Sequence, residues 1–74
     1  MRTRKTTPAP LPNGTPVELD IAEGLSVAQG VIVAAEYDDG WLYQVEITGG
    51  DDCSVHRNDA GELWAWDFEV KPRN

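Results

Sequence analysis

The dipeptide Asp39-Gly40 stands between two runs rich in β-branched and aromatic residues, "VAQGVIVAAEY" (Val27–Tyr37) and "WLYQVEIT" (Trp41–Thr48). No other feature of the chain limits its fold so strongly. Asp-Gly suits a tight two-residue turn of the type that matches the natural twist of paired strands, so these runs predict a β-hairpin. Gly30, inside the first run, predicts a bulge or bend. Ahead of the hairpin, "VELDI" (Val17–Ile21) alternates apolar and acidic residues, the period of a half-buried strand. Behind it come "CSVHR", the turn residues "NDAG", "ELWAW" and a last short strand, "FEVK". No stretch carries a helical stripe of useful length.

The expected fold is therefore all-β, a small five-stranded barrel over residues 17–71, because an open sheet of this size leaves too much edge exposed. A chain of 74 residues holds one such domain. Residues 1–16, "MRTRKTTPAPLPNGTP", contain four of the five prolines and little that is large and apolar, and read as a flexible basic arm. Residues 72–74 read as a tail.

The turns set which side chains share a face. A two-residue Asp39-Gly40 loop pairs Asp38 with Trp41, Glu36 with Tyr43, Ala34 with Val45 and Ile32 with Ile47. That face is apolar at its far end and turns acidic and aromatic near the loop. The second hairpin allows two registers. A three-residue loop, Asp59-Ala60-Gly61, puts Val55, Leu63 and Ala65 in the core and turns His56, Trp64 and Trp66 outward. A four-residue loop pairs Arg57 with Glu62 and turns Cys53, Val55, Trp64 and Trp66 inward. The turn chemistry favours the first.

With strands placed, "GVIVAAEYDDGWLYQVEI" resembles the first hairpin of Tudor-type domains, within the wider class of SH3-like small barrels. "GELWAWDFEV" resembles the closing strand, short turn and last strand of such barrels. The likeness spans residues 27–71. It implies an SH3-like barrel and a cation-recognising aromatic cage beside the Asp-Gly turn, with Tyr43 at one cage position. The partner position, aromatic in such cages, is Glu36 here, which points to a plain cation instead of a methylated one.

Charge points the same way. All thirteen acidic residues lie between Glu18 and Glu69, where Arg57 is the one base, so this body carries a net charge of −12. Arg2, Arg4, Lys5, Lys71 and Arg73 sit at the ends. An acidic body repels phosphate backbones and attracts basic partners, so direct nucleic-acid binding is not expected. The expected site is a cation pocket of Glu36, Asp38, Trp41 and Tyr43, extended by Trp64, in which aromatic faces and carboxylates both attract positive charge. The plainer alternative is that Trp41 caps the barrel end and Tyr43 packs inside.

Other chemistries find less support. Cys53 and His56 have a spacing seen in metal sites, but the chain has no second cysteine or histidine, and a strand would point the two to opposite faces. Neither Ser26 nor Ser54 has a readable base partner, and no phosphate-cradling glycine loop is present. No cofactor, metal or enzymatic activity is expected. One unpaired cysteine fits a reducing cytoplasmic setting, and no apolar run approaches the length of a spanning helix, so the chain is expected to be soluble. Two functions remain: a protein-binding module that docks a basic or extended peptide, or an acidic decoy that imitates nucleic acid in a basic groove. The sequence leaves oligomeric state open.

Overall fold

The computed structural model describes residues 10–73. The basic start of the expected arm, with Arg2, Arg4 and Lys5, lies outside them. The strands are β1 (Pro16–Ile21), β2 (Ser26–Tyr37), β3 (Trp41–Gly50), β4 (Leu63–Trp66) and β5 (Val70–Pro72), with short 3-10 turns at Ser54–His56 and Asp67–Glu69. They form one antiparallel sheet in the order β4-β3-β2-β1-β5. The described residues contain no α-helix, and no helix long and apolar enough to cross a membrane.

A single sheet has no second layer to cover its apolar face, so it must cover that face itself. In β1, Val17, Leu19 and Ile21 are buried while Pro16, Glu18 and Asp20 are exposed. One core cluster joins these to Ala28 and Ile32 of β2, Tyr43 and Val45 of β3, Leu63 and Ala65 of β4, Val70 of β5, and Cys53. Residues from both edge strands thus share one core. A flat five-stranded sheet would hold its edges about 19 Å apart. Yet only Asp67–Glu69 connects β4 to β5, a link that spans at most about 14 Å. The sheet is therefore curled, although among the described residues no ladder joins β4 to β5.

Two irregularities in the β2–β3 pairing accompany the curl, one between Gln29 and Gly30 and one between Ile32 and Ala34. Gly30 is buried where β2 presses on β3. A Cβ there would lie 2.5 Å from both the Glu46 carbonyl oxygen and Val45 Cγ1. The other irregularity leaves Val33 without a cross-strand partner, and beyond it the inward positions change from even to odd numbers.

The first hairpin also departs from the expected register, at its loop as well as at Val33. Tyr37 pairs with Trp41, Glu36 with Leu42, Ala35 with Tyr43 and Ile32 with Val45. The loop has three residues, Asp38-Asp39-Gly40. Asp39 is left-handed at φ 56°, and the Asp38 N–H donates to the Gly40 carbonyl at 2.8 Å. The two-residue loop would have set Glu36 beside Tyr43, which is only 4% exposed. Desolvating a carboxylate there is costly; Ala35 takes the place instead.

The second hairpin keeps the three-residue loop. The Asn58 N–H donates to the Glu62 carbonyl at 3.0 Å, and Gly61 adopts φ +79°. Leu63 and Ala65 point into the core, and Trp64 and Trp66 point out. Val55, however, is 80% exposed, and "CSVHR" is no strand. The Asp51 carboxylate accepts the Cys53 N–H at 2.8 Å and the Asp52 carboxylate accepts the Ser54 N–H at 3.0 Å. These side-chain bonds compete with a ladder and draw the segment into a turn, with Cys53 left-handed and fully buried.

The arm also joins the body earlier than expected. Leu11 packs against the core, and Gly14 and Thr15 exchange backbone hydrogen bonds with Ile32 at 2.7 and 3.0 Å. At the other end, the supposed tail begins inside β5, and the Arg73 N–H donates to the Pro16 carbonyl at 2.8 Å.

Gly30→Ala is expected to lower unfolding stability in urea by about 1–3 kcal/mol through overpacking against β3. Gly61→Ala, whose Cβ would meet open space, should cost only about 1 kcal/mol for its left-handed backbone. Equal losses at the two positions would contradict the close approach at Gly30.

Candidate functional site

The register places an aromatic array at the end of the first hairpin. Trp41 stands between two tyrosines, its ring 5.3 Å from Tyr37 at an interplanar angle of 72° and 6.5 Å from Tyr43 at 21°. The first is the edge-to-face arrangement that ring quadrupoles favour. Tyr43 is interior, and its hydroxyl accepts the Leu11 N–H at 3.0 Å. Trp41 is partly buried against the core, and Tyr37 is 52% exposed. Burial falls steadily from Tyr43 to Tyr37, so the outer end of the array meets solvent beside the exposed Asp38 and Asp39.

Of the five residues expected in the pocket, Trp41 and Tyr43 are stacked and Asp38 stays in the adjoining turn. Glu36 and Trp64 belong to the opposite face of the sheet. Glu36 is paired with Leu42, and Trp64 with Gln44. The Trp64 indole N–H donates to Glu62 Oε1 at 3.1 Å. Together with a bond from the Asn58 amide (3.1 Å), this stabilises the Glu62 carboxylate and holds its pKa below the usual value. Tyr37 is the site residue that the sequence reading missed. An aromatic on each flank of "DDG" was the available cue, since a three-residue loop makes those flanks cross-strand partners.

The opposite face has aromatics of its own. Trp66, 37% exposed, lies parallel to Phe68 at 6.5 Å and 4°. Its ring also approaches the hairpin tip, where a Cβ on Gly40 would stand 3.5 Å from Cζ3.

Polar contacts fix the segment between β3 and β4. The Ser26 hydroxyl and His56 Nε2 are 3.1 Å apart, so Ser26 does have a histidine partner, thirty residues away. Among the described residues no third group orients the imidazole by a hydrogen bond, and Ser26 is only 4% exposed. The pair ties the start of β2 to the Ser54–His56 turn. Arg57 clamps two loops through backbone oxygens, with Nε and Nη2 on Asp52 (3.2 and 3.0 Å) and Nη1 on Gly61 (2.8 Å). Cys53 Sγ lies 3.5 Å from the Asp51 carbonyl oxygen. The described residues hold no group of three potential metal ligands.

Comparison of the chain with models of protein families, with curated proteins and with solved structures finds no match. The functional reading rests on the geometry of the residues themselves.

Burial raises the Cys53 thiol above its ordinary pKa of 9.0, with Asp51 adding to the shift, Arg57 opposing it and Asp52 reinforcing it. Native Cys53 should therefore react with a disulfide reagent far more slowly than the unfolded chain. Because the folded value is the higher one, its stabilising contribution is full below pH 9.0 and declines as the pH rises towards the folded pKa. Thiol labelling across that range, in the presence and absence of denaturant, checks both. Equal labelling rates for native and unfolded protein would contradict the burial.

Proposed function

We propose that this protein is a non-enzymatic binding module of SH3-like, Tudor-type architecture that docks a basic or extended segment of a protein partner at the end of the first hairpin. The observation that carries this reading is the Tyr37–Trp41 edge-to-face pair beside Asp38 and Asp39. Tyr37 supplies the cross-strand aromatic for which the Tudor resemblance calls, at a position next to the Glu36 first expected there. A lysine or arginine side chain brought against the exposed flank of Tyr37 gains ring-quadrupole attraction, and the two turn carboxylates add Coulomb attraction. The strand order, with β5 returning to β1 and a 3-10 turn joining β4 to β5, supports the small-barrel resemblance.

Carboxylates gathered around exposed aromatics also favour a peptide module over an acidic decoy, whose charges should follow a ribbon. Arginine- and lysine-rich peptides, methylated and unmethylated, should move the Trp41 indole signal in NMR titrations. Tyr37→Ala should weaken the complex about two- to fivefold, the range of an exposed cation–π contact. Shifts confined to carboxylate-bearing residues, with the Trp41 indole unmoved, would sink the reading. Affinity that collapses entirely between low and physiological salt would support the decoy instead.

A further inference from the structure

We propose that the cleft between the β1–β2 turn and the Asp67–Glu69 turn is a second docking site, which takes an arginine-bearing segment of a protein partner. At its centre is Phe68, 80% exposed beside a chain whose core is tightly buried. The ring sits on a well-held backbone. The Trp66 N–H donates to Glu69 Oε1 at 3.0 Å, the Val70 N–H returns to the Asp67 carbonyl, and Trp66 lies parallel to the ring. A hydrophobic ring held this firmly in solvent offers contact area that needs little further ordering on binding.

Two adjoining hollows, of about 280 and 300 Å³, share Asp20, Phe68 and Glu69, with Glu23 lining one and Glu18 and Lys71 the other. Lys71 is the direct cross-strand partner of Glu18. Once that pair is set aside, Asp20, Glu23 and Glu69 remain as excess negative charge around the ring. Glu23 is held at the rim by a turn in which Ala22 and Glu23 are both left-handed, at φ 54° and 56°.

Charge complementarity selects a cation, and the aromatic selects its shape. A guanidinium can lie flat on Phe68 while its edge presents paired N–H donors to a carboxylate; an ammonium cannot do both. Arginine is therefore the residue this cleft fits. The cleft goes beyond the hairpin-end reading, for it uses other strands, another aromatic and other acids.

The test is amide NMR of the full chain titrated with a short arginine-rich peptide, its lysine counterpart and its neutral citrulline counterpart. Arginine should shift the amides of residues 18–23 and 67–71, lysine should bind there several-fold more weakly, and citrulline should leave them unmoved. Phe68→Ala should weaken the arginine peptide about two- to fivefold at those amides. The signals of Val17 and Leu19 report that the variant remains folded. Arginine shifts at Tyr37, Asp38 and Trp41 alone would overturn the cleft and leave the hairpin-end reading standing; shifts at the cleft alone would do the reverse. Cleft shifts indifferent to Phe68→Ala would reduce the site to diffuse attraction and overturn it. Shifts of the same amides with rising protein concentration, without peptide, would assign the cleft to a second copy's basic arm and overturn the partner claim.

Discussion

Everything in this fold depends on one sheet burying its own face. Burial of apolar surface is the main force available to so short a chain; among the described residues no α-helix or second sheet helps, and a single cysteine makes no internal disulfide. The solution is to bend β2, the longest strand, which pairs with β1 over its first half and with β3 along most of its length. The missing side chain at Gly30 lets the two strands approach closely inside the bend, and the unpaired Val33 absorbs the remaining mismatch. Edge residues such as Val70 and Leu63, distant in strand order, thereby reach a common core.

The same bend decides which chemistry meets solvent. Before Val33, even-numbered residues of β2 point inward; after it, Ala35 does, and Tyr37 joins Trp41. Three aromatics then form a graded series from buried to exposed, which both completes the core and leaves a ring at the surface. Burial and binding are not competing accounts of this cluster. Tyr43 is core, Tyr37 is surface, and Trp41 couples them through ring contacts at 6.5 and 5.3 Å.

Much of the architecture was legible in the residues. Period-two alternation marked β1, and β-branched and aromatic runs marked β2 and β3, because half-buried strands need those side chains. Gly61 disclosed the second loop and thereby the outward tryptophans. What escaped were features fixed by non-local or side-chain effects. The Asp-Gly signal suits two residues, but the loop takes three, which shifts the pairing by one and sets Glu36 opposite Leu42; the bulge at Val33, with no glycine to announce it, shifts the pairs beyond it again. "CSVHR" looked extended, but Asp51 and Asp52 cap it into a turn. Ser26 and His56 meet because the start of β2 lies beside the end of β3, where the Asp51 N–H donates to the Val27 carbonyl, and no local pattern encodes that meeting. Phe68, one aromatic within "ELWAWDFEV", gave no hint that it would be left outside.

The unpaired residue in β2 also has an evolutionary meaning. In a regular ladder, one added residue exchanges the inner and outer surfaces of everything beyond it. Here an extra residue is absorbed without that exchange, because Val33 takes no cross-strand partner and the pairs on both sides of it keep their faces. Loss of Val33 would leave Ile32 opposite Val45 and Ala34 opposite Gln44, and so Glu36 opposite Leu42 and Tyr37 opposite Trp41. A lineage could thus lengthen or shorten this strand by one residue and keep its aromatic lip, a change that comparison by substitutions alone would overlook.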